Sequence, residues 1–390
     1  MLAGAAGGRR AGAGRGLRGA KAEGAGLGVP LPTERFDQRQ TVFARARRGE
    51  LGEAALAWAL NDGVLEFDIA GNWGLGAAAL SRAGFGLAGD LESLLDGPVA
   101  ARRVAVPGPR AMSRVIKEVA RYLGADLVGV TRFHPAFLYS HDQEGRPLAS
   151  DHAFAVVVGR AMDYGHLLGS PDLPSGAATG KGYAEVAFIA AFLASYIRRL
   201  GYSAHGHRNQ RVLQVPLAVS AGLGELGRCG FVVSARLGPR FRLASVTTDL
   251  PLEPDRPVRL GVEGFCRACR KCARACPSGA IPEGNPVVVR GVRRWHIDAL
   301  RCFGFWVSLR ERSYQCARCI SACPWNKPDA LYHRAAAGLV RRVPAASRAL
   351  LWLDDALGFG RPRRAGGVGG KGRGSADTAA GGGAARGPWW

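Results

Sequence analysis

Two cysteine runs near the C-terminus constrain this chain more than any other feature of its sequence. Residues 266–277 read CRACRKCARACP, and residues 316–324 read CARCISACP. The first run has the spacing C-x2-C-x2-C-x3-C-P, and the second has C-x2-C-x3-C-P with Cys302 upstream as a further ligand. This spacing is typical of cysteines that ligate [4Fe–4S] clusters. Eight of the nine cysteines belong to this pattern, which is the number of thiolates that two such clusters need.

The ligands divide into two sets if the chain follows the rule of two-cluster ferredoxins. In those proteins the fourth cysteine of each run ligates the other cluster. Cluster 1 would then be held by Cys266, Cys269, Cys272 and Cys323, and cluster 2 by Cys276, Cys302, Cys316 and Cys319. Cys229 lies apart from both runs, and we expect it to be a buried thiol rather than a ligand.

Zinc sites and disulfides explain these cysteines less well than clusters do. Structural zinc sites use two C-x2-C pairs or mixtures of Cys and His. Disulfide frameworks are typical of small secreted domains, whereas this chain has 390 residues. The cysteine pattern therefore predicts a protein that transfers electrons.

Length and composition set the expected number of folded parts and the expected partners. The chain is long enough for a large core and two folded parts. Residues 1–28 and 363–390 are rich in Gly, Ala and Arg, and we expect them to be disordered tails. The formal net charge of +22 would suit nucleic acid. We attribute this charge largely to solvated tails, so a nucleic-acid partner is not expected.

The sequence also bears on location. No stretch reaches the roughly 18–20 apolar residues that a membrane-spanning helix needs. Arg9 and Arg10 could begin a twin-arginine export signal, but a weakly apolar, charged segment follows them. We therefore expect a cytoplasmic protein, as oxygen-sensitive clusters also favour.

Apolar periodicity indicates an α+β fold with a core over residues 111–258. We predict helices at 113–123 and 183–200, and strands at 125–131, 153–158, 212–220, 231–234 and 242–248. A loop rich in Gly, Ser and Pro is expected at 163–181, so that Tyr183 opens the long helix. Turn signals lie at 61–63 and 71–72. The remaining predicted parts are an N-terminal region at 29–110 that packs on the core, a ferredoxin-like domain at 259–332 and a C-terminal helical segment at 333–362.

Several stretches of the chain together resemble the reductive dehalogenases, which are corrinoid and iron–sulfur enzymes that remove halide from organohalides. The most extended stretch is residues 221–254, AGLGELGRCGFVVSARLGPRFRLASVTTDLPLEP. Shorter ones are AMDY at 161–164, ATGKGY at 178–183 and CPWNKP at 323–328. The resemblance covers roughly residues 110–330.

The resemblance implies a nitroreductase-like α/β core that binds a corrinoid in the base-off form, next to two [4Fe–4S] clusters. Electrons from an external donor such as ferredoxin or flavodoxin would pass through the clusters to Co(I). The family's proton donor, a tyrosine beside a basic residue, matches Tyr183 and Arg242, and its pocket asparagine matches Asn209. A guanidinium beside a phenol would stabilise the phenolate that proton donation leaves behind.

Two other functions remain open from the sequence. Epoxyqueuosine reductase, a related corrinoid enzyme that acts on tRNA, shares the cysteine runs. A non-catalytic iron–sulfur electron carrier would also use them, although a carrier needs no large α/β core. A cobalamin-binding D-x-H-x-x-G signature is absent, because two residues separate Asp163 from His166. This absence agrees with base-off binding, and His166 is expected to be a loop histidine.

Overall fold

The structure is a computed structural model that describes residues 29–60, 74–309 and 315–361. The predicted tails and the turn signals at 61–63 and 71–72 lie outside the described residues.

Helices and short strands alternate along the described chain. The helices are α1 Val42–Arg47, α2 Glu53–Leu60, α3 Gly74–Asp90, α4 Pro109–Tyr122, α5 Tyr164–Leu168, α6 Leu173–Arg199, α7 Gln214–Ser220, α8 Val262–Cys269, α9 Lys271–Arg274, α10 Ala299–Ser308, α11 Arg318–Ser321, α12 Leu331–Arg342 and α13 Ser347–Ala356. The strands are β1 Leu127–Arg132, β2 Phe154–Ala161, β3 Ala204–His207, β4 Glu225–Leu226, β5 Val232–Val233, β6 Phe241–Thr248, β7 Val287–Val289 and β8 Val292–Arg294.

Four of the strands form the central sheet, in the order β1-β2-β6-β3. Every pair within this sheet is antiparallel, and Arg160 of β2 lies opposite Arg242 of β6. The long helix α6 packs across the sheet through Ile189, Leu193 and Ile197, which are buried at intervals of four residues. This spacing keeps one face of the helix on the sheet, and it fixes the side chains earlier on α6 relative to β6.

Helix α3 crosses α6 at a contact between two glycines. A Cβ at Gly84 would lie 2.4 Å from the carbonyl carbon of Gly180, and a Cβ at Gly180 would lie 2.4 Å from the Ser81 oxygen. Only glycine allows the two backbones to approach this closely. The crossing holds α3 against the turn of α6 that precedes Tyr183.

The prediction of a loop over residues 163–181 is wrong for most of that range. Helix α5 begins at Tyr164 and α6 begins at Leu173. Asp172 caps α6, because its side chain accepts a hydrogen bond from the Ser175 amide while the Ser175 hydroxyl lies within reach of the Asp172 amide. Tyr183 therefore lies inside a 27-residue helix instead of opening one.

The predicted strand at 212–220 is also wrong, since residues Gln214–Ser220 form α7. Val215 and Val219 favoured a strand by propensity. Pro216 is nevertheless the third residue of the helix, where its missing amide hydrogen costs no intrahelical bond. The other predicted strands and the predicted helices at 113–123 and 183–200 are present. Most ends are shifted by a few residues, but α6 begins ten residues before the predicted start.

The cysteine-rich part is fastened to the core by hydrogen bonds. Arg240 Nε donates to Asn326 Oδ1 at 3.0 Å, and the Ala317 amide donates to Ser170 Oγ at 2.7 Å. On the other side, α1 and α2 pack against α10 in a cluster that contains Phe303 and Trp58. None of the helices in the described ranges is long and apolar enough to cross a membrane.

Candidate functional site

The hydroxyl of Tyr183 is the centre of a small polar site between α6, β6 and the loop after β3. Asn209 Nδ2 donates a hydrogen bond to Tyr183 Oη at 2.8 Å. Arg242 Nη1 donates to the same oxygen at 3.4 Å. The three residues that the sequence assigned to catalysis therefore meet at one atom, although they are far apart in the chain.

Arg242 is held over the tyrosine as well as beside its hydroxyl. Its guanidinium carbon lies 4.7 Å from the centroid of the Tyr183 ring, which is cation–π distance. Phe85 of α3 packs on the ring from another direction, with centroids 5.4 Å apart. These contacts restrict the ring, so the hydroxyl has a defined position.

The phenol oxygen of Tyr183 accepts two hydrogen bonds, one of them from a cation. Both donors stabilise the phenolate more than the neutral phenol, because their hydrogen bonds strengthen when the acceptor becomes charged. Tyr183 is only partly buried and Asn209 is exposed, so a substrate can approach. The arrangement can deliver a proton to a group that arrives at this surface.

Sequence reasoning missed Thr179, which accepts a hydrogen bond from the guanidinium of Arg242. Arg242 Nη2 donates to Thr179 Oγ1 at 3.2 Å, and the threonine is fully buried. Thr179 lies four residues before Tyr183, so the two share a face of α6. That spacing would have identified Thr179 if residues 173–182 had been recognised as helical.

The four cysteines of the predicted cluster 1 line one cavity. Cys266 and Cys269 come from α8, Cys272 from α9, and Cys323 from the segment after α11. Burial raises the pKa of the Cys266 thiol to about 12 and that of Cys269 to about 11. Such thiols become thiolates only when strong positive charge is placed among them, as a metal centre provides.

The four cysteines of the predicted cluster 2 also come together. Burial raises the pKa of the Cys302 thiol to about 12, and the neighbouring Cys316 and Cys276 raise it further. Cys319 packs against the apolar cluster that contains Met162, whose sulfur is 3.9 Å from the Thr179 hydroxyl. The second set of cysteines therefore borders the elements that carry the tyrosine site.

Cys229 is buried, as expected for a thiol outside the ligand sets, but it is not remote. It lines the same cavity as the first set and packs beside Cys272, Cys276 and Cys319. In the described part of the chain, no three Cys, His, Asp or Glu side chains are placed to hold a single metal ion. A cubane requires another arrangement, because each of its thiolates binds a different iron around a cavity.

A larger cleft of about 750 Å³ adjoins the first cavity through Phe265, Pro324 and Trp325, and α12 and α13 form its other walls. Among the buried side-chain polar atoms without a hydrogen-bond partner within the described residues are two N–H groups in the segment after α11 and one on β6. They are Trp325 Nε1, Asn326 Nδ2 and Arg242 Nε. Buried donors of this kind are normally satisfied in folded proteins.

Known proteins match both the cysteine-rich part and a larger share of the chain. Residues 265–327 match the family of 4Fe-4S dicluster domains. Tetrachloroethene reductive dehalogenase of Dehalobacter restrictus is 33% identical, over 64% of this chain and 54% of its own length. The enzyme of the same name from Sulfurospirillum multivorans is 31% identical, over 65% and 58%. The chain thus spans about half the length of the curated relatives it matches.

A solved structure agrees with the sequence matches. The catabolic reductive dehalogenase NpRdhA, in complex with 3-bromo-4-hydroxybenzoic acid, superposes with a TM-score of 0.77 at 32% identity. The superposition covers 85% of this chain and 48% of that chain. Epoxyqueuosine reductase of Salmonella typhimurium is 33% identical over only 30% of this chain. The resemblance inferred from the sequence motifs is confirmed.

Proposed function

We propose that this homologue of the reductive dehalogenases removes halide from a small organohalide, with Tyr183 as the proton donor. The observation that carries the proposal is the contact of Tyr183 Oη with both Asn209 Nδ2 and Arg242 Nη1, at 2.8 and 3.4 Å. A pure electron carrier needs no such polar site at the edge of a large α/β core. The nitroreductase-like character of that core is part of the proposal.

Two [4Fe–4S] clusters fit the residues present. The cavity lined by Cys266, Cys269, Cys272 and Cys323 provides four thiols for cluster 1. Charge on Cys316 and Cys276 raises the pKa of Cys302, and charge on Cys316 and Cys302 raises that of Cys319, beyond the effect of burial. This closeness supports the grouping of the four cysteines around cluster 2. Buried thiols with raised pKa values are the donors that an iron–sulfide core can deprotonate and retain.

The chemistry of a corrinoid matches the unpartnered hydrogen-bond donors of this region. The edge of a corrin ring carries amide carbonyls, which the unpartnered N–H groups of Trp325 and Asn326 could satisfy. A matching solved structure is described as suggesting a mechanism for B12-dependent dehalogenation. When bound, the corrinoid would supply a strongly reducing cobalt for carbon–halogen cleavage, and we propose that it binds base-off.

The chain's own contribution is to hold and deliver a proton. Tyr183 Oη would give its proton to the carbon that has lost the halide. Arg242 and Asn209 would stabilise the phenolate that remains, and Thr179 would keep the guanidinium aimed at it. General acid catalysis of this kind typically contributes about 10²–10⁴-fold to a rate.

The electrons would come from an external low-potential donor such as ferredoxin or flavodoxin, and we place the protein in the cytoplasm. The test is anaerobic reconstitution of the chain with a cobamide, reduction by a viologen, and measurement of halide released from a panel of aryl and alkyl halides. Release from at least one halide that depends on the cobamide is the expected result.

Two outcomes would overturn the proposal. If the protein retains the cobamide but releases no halide and instead reduces an epoxyqueuosine-containing tRNA stem loop, it is a tRNA-modifying enzyme. If it retains clusters but no cobamide, it belongs with the electron carriers.

A further inference from the structure

Arg228 is a buried cation in the cysteine-rich part for which neither the sequence motifs nor the proposed function supply a role. It lies in the turn between β4 and β5, and its side chain is 2% exposed. The turn is tight, since the Gly227 amide donates to the Phe231 oxygen at 2.9 Å and Gly230 has a φ of +78°. This turn directs Arg228 away from the core sheet and into the cluster region.

The guanidinium donates only to neutral acceptors. Nε and Nη2 both bond the Cys266 oxygen, at 3.1 and 3.0 Å, and Nη1 bonds the oxygens of Pro282 and Gly284 at 2.7 and 2.9 Å. The Trp295 ring lies 4.6 Å from the guanidinium carbon. Four of the five N–H donors of an arginine are thereby used, and no carboxylate within the described ranges forms an ion pair with it.

Neighbouring cations of the same region are paired differently. Lys271 Nζ lies 2.5 Å from Asp354 and 2.7 Å from Asp355, and Lys327 Nζ lies 2.5 Å from Asp354. Their charges are compensated by carboxylates. The charge of Arg228 is not, and a buried charge without a counter-charge is strongly unfavourable.

The missing counter-charge lies in the adjoining cavity. Arg228 lines the same cavity as Cys266, Cys269 and Cys272, so its guanidinium lies beside any cluster that these thiolates hold. Four thiolates outweigh the positive charge of an iron–sulfide core, so a cluster held there is negatively charged. It becomes more negative when it accepts an electron.

We propose that Arg228 is the internal counter-cation of cluster 1 and raises the reduction potential of that cluster. The inference rests on the proposed two-cluster function. The step is a one-electron reduction in which no bond forms or breaks, and the electron comes from the external donor or, in a titration, from dithionite. A fixed cation in a buried site of low dielectric stabilises the reduced cluster more than the oxidised one.

The experiment is an anaerobic redox titration monitored by EPR on protein that holds both clusters. Arg228→Gln keeps a hydrogen-bonding side chain but removes the charge. At fixed potential, the ratio of reduced to oxidised cluster 1 should fall at least about tenfold, which corresponds to about 59 mV for one electron. Cluster 2 should be unchanged, and the cluster 1 signal is identified as the one altered in Cys269→Ser.

Arg267→Gln is the matched control. Arg267 is adjacent to Cys266 in sequence, but its side chain is 45% exposed and it pairs with Glu263 at 2.8 Å. The same substitution there should leave the ratio of reduced to oxidised form of each cluster within about twofold of the wild-type ratio. The reason is that solvent screens an exposed charge.

Arg228→Lys separates charge from hydrogen bonding, since lysine keeps the charge and loses the planar fork. If the ratio of reduced to oxidised cluster 1 in Arg228→Lys stays within about twofold of the wild-type ratio, the proposal is supported. This holds even if Arg228→Gln does not retain the cluster. An unchanged potential in Arg228→Gln with all irons retained would overturn it. So would a tenfold fall in Arg228→Lys, or loss of cluster 1 in both variants, because Arg228 would then be structural. Absence of both clusters from the wild type would instead refute the proposed function.

Discussion

At the scale of single residues, the site depends on one oxygen atom with two donors. Tyr183 Oη accepts from Asn209 and Arg242, and the buried hydroxyl of Thr179 holds the guanidinium in place. A side chain that only filled space at this point of α6 would not need this set of polar partners. Substitution of the hydroxyl tests the role that we propose for it.

Tyr183→Phe removes the hydroxyl and almost no volume. Dehalogenation should fall on the order of 10²–10⁴-fold, the usual contribution of a general acid. Iron content and cobamide binding should stay at wild-type levels, as measured by metal analysis and by the visible spectrum of the corrinoid. Tyr196→Phe, on the same helix but packed on the core cluster behind it, is the matched control and should keep full activity.

The role of Tyr183 is refuted by a Tyr183→Phe enzyme that turns over at the wild-type rate. It is equally refuted if activity falls only in proportion to lost cofactor. In either case the tyrosine is a packing residue of α6.

At the scale of elements, the tyrosine depends on how closely α3 and α6 approach. Gly180→Ala would place a methyl group 2.4 Å from the Ser81 oxygen, and backbone cannot yield as a flexible side chain does. Overpacking of this kind costs about 1–3 kcal/mol. We expect a lower midpoint in anaerobic urea denaturation and reduced activity, because Tyr183 lies one turn further along.

Gly86→Ala is the control for that substitution. Gly86 lies in α3, but a Cβ there would meet nothing within 4 Å. Alanine should stabilise the helix by roughly 0.5–1 kcal/mol through its higher propensity. If Gly86→Ala and Gly180→Ala shift the midpoint in the same direction, the close crossing does not determine the position of α6.

A second element-scale property is acid sensitivity at the β3 edge of the sheet. His207 is buried and its Nε2 lies 2.9 Å from Thr247 Oγ1, while His152 Nδ1 lies 2.8 Å from the same hydroxyl. Burial lowers the pKa values of His152, His205 and His207. The folded state therefore resists protons that the unfolded chain accepts near pH 6.5.

The free energy of unfolding should consequently be highest above about pH 6.5 and fall as the pH drops below it, by at most about 1.4 kcal/mol per pH unit for each histidine. Urea midpoints at several pH values between 5 and 8 measure this slope. His207→Gln should make the slope shallower, whereas His296→Gln, at an exposed position, should not. A slope that is equal in wild type and His207→Gln would contradict the assignment.

The same elements show what sequence reasoning could and could not reach. Strands β2 and β6 were predictable, because their apolar runs are buried on both faces of the sheet, by one apolar cluster on each face. The first half of α6 was not, since Gly176, Gly180 and Gly182 lower helix propensity. The close contact with α3 requires glycine at Gly180, and a Cβ at Gly182 would lie 3.0 Å from Arg242 Cγ of β6. Glycines that a helix needs for close packing are read as loop residues when the helix they pack against is not known from the sequence.

At the scale of the whole molecule, the cysteine-rich part is continuous with the core. Arg240 bonds Asn326, and Glu225 of β4 accepts from the amides of Leu260 and Val262 at 2.9 and 2.7 Å. Spacing alone predicted the two ligand sets. Spacing did not predict that Arg228 is buried in the turn between β4 and β5. The local sequence Gly-Arg-Cys-Gly gives no sign that the arginine is buried without a carboxylate partner in the described part of the chain.

Iron content tests the ligand sets in the intact chain. Anaerobically purified protein should hold about eight irons, since each cubane contains four. Cys319→Ala removes one thiolate from cluster 2, and its iron content should fall toward about four because cluster 1 keeps all of its ligands. Cys229→Ser is the matched control, a buried cysteine on the cavity wall that lies outside both sets, and it should retain about eight. Zinc in place of iron would contradict the cluster assignment as a whole. Full iron in Cys319→Ala, or loss of a cluster in Cys229→Ser, would show that the ninth cysteine replaces one of the eight.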